Sequence, residues 1–235
     1  MEAESVSLKT VSDKQACADA LENEESNGRS TVAFYESHAQ TYFERTVVAD
    51  LEPLYGRFLP NVRPGGRILD LGSGSGRDLK VMRDRGFVPL GIDASPKLAR
   101  LAAGFSGVTC LTMRFEDISF PIAFDAVWAC ASLLHISKCR IPTILTNIHN
   151  SLAAEGVLFA SVQLGKGEKL LPDGRFFAYY ESEEFLHLIE KAGFKIQQSW
   201  LSKDSLSHRR PIDWINVVAG KQSLQTKIRR RRQAS

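Results

Sequence analysis

From Arg67 onward, short apolar runs alternate with stretches whose apolar residues recur every three or four positions. Arg67 to Leu71 has strand length, and Gly76 to Arg85 reads as a helix with Leu79 and Met82 inward and Gly86 as its stop. Phe87 to Ile92 is a second strand, and Pro96 to Ala103 a helix with proline in its first turn. Val108 to Thr112 and Phe124 to Ala131 follow as strands, then a helix over Pro142 to Leu152 and a fifth strand from Gly156 to Leu164. Phe185, Leu188, Ile189 and Ala192 mark an amphipathic helix closed by Gly193, before strands over Lys195 to Leu201 and Asp213 to Ala219. Seven strands interleaved with helices predict one α/β domain whose largely parallel sheet is covered on both faces.

The N-terminal part follows a different rhythm. Tyr35, Ala39 and Tyr42 fall on one helix face, and Leu51, Leu54, Tyr55 and Phe58 on another, ahead of the Pro64-Gly65-Gly66 break. Residues 31–60 are therefore expected to form a helical cap on a domain spanning 31–220. Residues 1–30 carry seven acids and three bases with few large apolar groups, and are expected to be disordered or loosely helical. Residues 221–235 carry six positive charges and no acid, an expected disordered basic tail. The overall charge of +3 thus hides a nearly neutral body, which does not advertise a nucleic-acid groove. No apolar run is long enough to span a bilayer. Cys17, Cys110, Cys130 and Cys139 form no C-x-x-C pair and no zinc-spaced cluster, so they read as free thiols of a cytoplasmic protein without a metal site.

Chemistry concentrates after the first strand, in Asp70-Leu-Gly72-Ser73-Gly74-Ser-Gly76. Glycines at a strand-to-helix turn let the backbone approach a ligand, and the helix start offers free N–H groups. Asp93, ending the second strand in Gly91-Ile-Asp93-Ala94-Ser95, lies at the right distance for a ribose diol. The spacing departs from the dinucleotide fingerprint, because Arg77 stands where the third glycine belongs. Asp70 would repel a pyrophosphate and attract a sulfonium or ammonium. A nucleoside with a cationic amino-acid tail fits these charges better than NAD.

These segments, in this order between Tyr35 and Lys221, resemble the class I S-adenosylmethionine (SAM)-dependent methyltransferases. The resemblance implies a Rossmann-like, mostly parallel seven-stranded sheet with a reversed last strand, and SAM as cofactor with S-adenosylhomocysteine (SAH) as product. It assigns Asp70, Gly72, Ser73, Gly74 and Gly76 to the methionine loop, and Asp93 and Ala94 to the ribose. Glu116, Asp117 and Ile118 would meet adenine, and Ala129 and Cys130 the methionine end. Leu152 to Leu158 resembles the turn before the fifth strand. Tyr35 and Tyr42 match a helical lid in which a tyrosine touches the cofactor carboxylate; here Tyr42 is the cofactor candidate and Tyr35 the substrate one. Packing of the lid accounts for them equally well.

A methyltransferase must align a nucleophile behind the methyl and exclude water. His135, just beyond the fourth strand, is the candidate base, or else it orients a neighbour. Gly165 to Tyr180 reads as one long loop suited to a substrate lid, with Arg175 and Phe177 as contacts. Arg210, entering the last strand, would hold an anionic group or pair with Asp213. The expected reaction is methyl transfer to O, N or S of a small molecule. An RNA- or protein-directed enzyme using the basic tail, a catalytically silent SAM-binding regulator and an NAD dehydrogenase are the alternatives. No Asn/Asp-Pro-Pro-Tyr and no Pro-Cys pair follows the fourth strand, against a nucleic-acid substrate.

Overall fold

The computed structural model describes residues 26–121, 123–204 and 212–222. Three helices lead: α1 over residues 26–37, α2 Ala39–Thr46 and α3 Glu52–Phe58. The α/β part follows as β1 Arg67–Leu71, α4 Arg77–Asp84, β2 Val88–Asp93, α5 Pro96–Ser106, β3 Cys110–Thr112 and β4 Phe124–Cys130. Then come α6 Ile141–Ser151, β5 Leu152–Gln163, β6 Glu168–Leu170, β7 Phe176–Ala178, α7 Ser182–Lys191, β8 Phe194–Lys203 and β9 Asp213–Lys221.

The main sheet runs β3-β2-β1-β4-β5-β9-β8. Strands β1 to β5 pair in parallel, and β9 runs antiparallel to both β5 and β8. This is a seven-stranded, mostly parallel Rossmann-like sheet. The order reverses between β1 and β4, so a crevice opens at the carboxyl ends of these strands. Alternate side chains of each strand enter opposite layers. Ile68, Ala126, Trp128 and Phe159 pack with Tyr55, Phe58 and Met82 under α3 and α4. Leu69, Val127, Leu158 and Ala160 pack with Ile144, Ile148, Phe185 and Ile189 under α6 and α7. Trp128 stacks on Phe159 with ring centroids 4.0 Å apart.

Four features depart from the sequence reading. Helical structure already holds at residues 26–30, and α1 gives way to α2 at a turn on His38, so Tyr35 does not share one continuous helix with Ala39 and Tyr42; the ring contact of Tyr35 and Tyr42, at 5.1 Å, is nevertheless present. Gly165 to Tyr180 is no open loop: β6 and β7 pair as an antiparallel hairpin. The turn expected before the fifth strand is instead absorbed in β5, where Leu152 faces Phe124 and Val157 faces Ala126. Three more residues on β5 than on β4 must bulge there, and Gly156 permits it, since a Cβ would lie 2.8 Å from Leu152 Cβ. Finally, Lys221 belongs to β9 and donates to the Leu152 carbonyl at 2.6 Å, so the tail starts later than expected. Residues 1–25, Arg210 and residues 223–235 lie outside the described residues. Asp213 pairs with Lys203 at 2.5 Å.

Candidate active site

The loop from β1 to α4 forms the floor of the crevice. Gly72, Gly74 and Gly76 have φ of 77°, 53° and 74°, which L side chains rarely adopt. Each is also pressed by a neighbour. A Cβ on Gly72 would lie 2.7 Å from Ser132 Cβ, on Gly74 3.1 Å from the Tyr42 ring, and on Gly76 2.6 Å from the backbone of Ala102. Gly76 thus seats α4 on α5, while Gly72 and Gly74 bring bare backbone to the cavity walls beside Ser132 and Tyr42.

Asp93 caps β2 and locks this loop. One carboxylate oxygen accepts the Gly74 N–H at 2.9 Å and the other the Ser95 N–H at 2.9 Å. Burial raises its pKa to about 6, against the pull of those two N–H groups. Each oxygen keeps lone pairs for a diol. Asp70 is buried below the loop, and its Oδ2 has no hydrogen-bond partner. Burial and, next, the charge of Asp78 push its pKa well up. A cation above the loop would relieve that.

Two chambers flank the loop and share Tyr42, Gly72, Gly74 and Ala131. The first, about 980 Å³ with its open mouth, holds Asp93, Ala94, Ser95, Phe115 and Glu116 on one side and Tyr35, Ser132, His135 and Phe176 on the other. Glu116 is paired with Arg140 at 3.2 Å and Arg114 at 3.5 Å. The Ser132 hydroxyl is buried without a partner and lines this chamber. The second chamber is lined by Ser73, Ser75, Arg77, Asp78, Cys130, Ser161 and Asn216. Ala131 has φ 54°, the one positive φ at a non-glycine residue among those described, and turns the chain from β4 into the crevice. Its N–H donates to Ser161 Oγ at 2.9 Å.

Asp78, on the first turn of α4, braces the loop from behind. It accepts from Trp128 Nε1 at 2.9 Å, from the Tyr55 hydroxyl, and from Arg77 Nε at 2.7 Å and Nη2 at 3.1 Å. Burial opposes its charge, but Arg77 and these hydrogen bonds outweigh burial and hold the carboxyl below its ordinary range. Arg77 also donates to the Thr46 carbonyl, tying α2 to the loop.

The roof is α1 and the hairpin. Thr31 Oγ1 accepts the Phe176 N–H at 2.9 Å, and Glu36 accepts the Lys97 N–H at 2.9 Å. His135 joins the pieces: its Nδ1 lies 2.7 Å from the Phe176 carbonyl and its Nε2 2.9 Å from the Tyr35 hydroxyl. Burial pushes its pKa down to about 4, and the nearby Arg175 adds to this. Arg175 lies near the Tyr35 phenol, pairs with Asp173 at 2.7 Å and lies over the rings of Phe34 and Phe177.

Of the residues expected from sequence, Tyr35, Tyr42, Gly72, Gly74, Asp93, Ala94, Glu116 and His135 share the first chamber, and Ser73 and Cys130 line the second. Asp70, Gly76, Asp117, Ile118, Ala129, Arg175 and Phe177 line neither. Phe176 takes the place expected of Phe177, because β7 alternates its faces. Asn27, Gly28, Thr31, Arg114, Ser132 and Arg140 were missed. The first three lie in or beside the segment whose polarity reads as disorder, and the arginines carry no motif.

A methyltransferase-domain family model matches residues 42–199. The chain belongs to the methyltransferase-domain family. It is 28% identical over 153 residues to an uncharacterized methyltransferase of Synechocystis, covering 60% of this chain and 72% of that protein. Its fold matches the 1,6-didemethyltoxoflavin-N1-methyltransferase of Burkholderia thailandensis, solved with 1,6-didemethyltoxoflavin and SAH, at a TM-score of 0.70 and 19% identity over 86% of this chain and 90% of that one. It also matches the magnesium protoporphyrin IX methyltransferase of Synechocystis, solved with SAM, at 0.65 and 16% over 83% and 97%. The cofactor of this family is SAM, and the unpartnered Asp70 Oδ2, the glycine floor and the Asp93 carboxylate suit a cationic nucleoside.

Proposed function

We propose that this methyltransferase acts on an O, N or S atom of a small molecule bound between β4, α1 and the β6–β7 hairpin. The observation that supports this most is the roof itself. Thr31, Tyr35 and Glu36 fasten α1 to β7, to the segment after β4 and to α5, so the first chamber is covered on the side where a macromolecule would have to enter. The solved relatives that act on 1,6-didemethyltoxoflavin and magnesium protoporphyrin IX agree with a compact substrate.

In this reading Asp93 and Ala94 hold the ribose, Glu116 faces the adenine side, and Gly72 to Gly74 and Tyr42 border the methionine end. SAM supplies a methyl on a sulfonium, primed for in-line displacement. The chain aligns the substrate against Tyr35, His135 and Phe176 and keeps water out under α1. Cys110 and Cys130 form no disulfide among the described residues, which suits a reducing, cytoplasmic compartment; no helix among the described residues is long and apolar enough to cross a membrane. The test is transfer of labelled methyl from SAM into fractionated metabolite, RNA and protein pools. Label in the metabolite fraction is expected; label confined to RNA or protein refutes the small-molecule substrate.

A further inference from the structure

The hydrogens around Tyr35 can be counted. The Phe176 oxygen is a carbonyl and only accepts, so His135 Nδ1 carries a hydrogen. The ring is largely shut off from water, and Arg175 sits nearby, so it is neutral and has no second hydrogen. Its Nε2 is therefore a bare lone pair, and it takes the hydrogen of the Tyr35 hydroxyl at 2.9 Å. The Arg175 guanidinium lies close by and adds a positive field around the phenol. Burial nevertheless keeps the phenol protonated. Tyr35 lines the first chamber with lone pairs to accept and no hydrogen to give. A charged imidazolium would reverse all of this and leave a donor instead.

We propose that Tyr35 presents a hydrogen-bond acceptor alone to the substrate pocket, so that the enzyme selects substrates carrying an O–H or N–H at the atom that meets Tyr35 and discriminates against ethers, thioethers and tertiary amines. This rests on the small-molecule reading above. His135 is a positioning residue here: it acts through Tyr35 by fixing which way the phenol hydrogen points. An O-methylated product lacks the hydrogen that Tyr35 holds in the substrate, so it binds less well than the substrate, which favours its release.

Two measurements test this. In the SAH-bound protein labelled with 15N-histidine, the ring signals lost in His135→Gln are expected to show the tautomer protonated on Nδ1 at neutral pH. The Nε2-protonated tautomer or an imidazolium overturns the proposal. Phenol and anisole, which differ by the hydrogen in question, are then titrated into the same SAH complex. Phenol is expected to bind roughly tenfold more tightly, the value of one buried hydrogen bond. The preference is expected to vanish in Tyr35→Phe and to survive in His135→Gln, whose amide oxygen still accepts the phenol hydrogen. No binding of phenol, equal binding of the pair, or a preference unchanged in Tyr35→Phe overturns it. Failure of the small-molecule reading shows separately, as label found only in RNA or protein, and leaves the tautomer result standing.

Discussion

Replacing Asp78 by alanine should weaken the fold more than any other single polar change near the site. Trp128 is fully buried and would lose the acceptor of its indole N–H; the Tyr55 hydroxyl would lose its acceptor as well. Each orphaned donor costs about 1 kcal/mol or somewhat more. Arg77 would be left with its charge uncompensated, at about 2 kcal/mol or more even though the second chamber gives it some contact with water. The net loss is about 4 kcal/mol, which for a domain of this size lowers the melting temperature by roughly 8–16 °C. Asp78→Asn keeps the shape and one accepting oxygen and should lose about half as much. Because the folded-state pKa of Asp78 is lowered, its contribution is complete above about pH 4 and fades as the pH falls through the folded value. Urea denaturation of both variants and the wild type between neutral and acid pH reads all three effects. A loss below about 1 kcal/mol in Asp78→Ala, or a gap to wild type that does not narrow in acid, refutes the reasoning.

Three further outcomes follow from the same geometry. Gly76→Ala, at φ 74° and 2.6 Å from the Ala102 backbone, should cost at least about 2 kcal/mol, whereas Gly104→Ala on α5, with nothing within 4 Å, should be neutral or gain up to about 1 kcal/mol; equal effects by thermal denaturation would argue against the packing account. SAH affinity should fall as Asp93 takes up a proton, by about half at pH 6 and about tenfold at pH 5, and calorimetric titrations that show no pH dependence would remove Asp93 from the site. Asp70→Asn removes a buried carboxyl whose Oδ2 lacks a partner, so it should raise thermal stability at neutral pH while weakening SAM more than 5′-methylthioadenosine, which lacks the cationic tail; equal weakening would deny Asp70 its role toward a cation.

What could be read in the sequence is what repeats locally. The apolar runs of β1, β2 and β4 and the stripes of α4 and α7 have the period of their element, and Asp93 follows because its place is fixed by one strand-turn-helix unit. The contacts that fasten the roof were not legible for the opposite reason. Thr31 meets Phe176 across 145 residues and Tyr35 meets His135 across 100, so nothing in the neighbourhood of either records the contact. Polar residues 26–30 read as disorder because their helix is stabilised by those distant partners rather than by its own stripe. The hairpin was hidden because its strands are three residues long and flanked by glycine and charge. Nothing local in the sequence marks Asp78, and its role appears only when β4 brings Trp128 beside it.

The claim that the Asp70–Gly76 loop and Asp93 form a site for a cationic nucleoside, not a dinucleotide, is tested most directly by equilibrium titration of the purified chain with SAM, SAH and NAD⁺ side by side. The account predicts saturable one-to-one binding of SAM and SAH and none of NAD⁺. Binding of NAD⁺, or no binding of SAM and SAH, would contradict it.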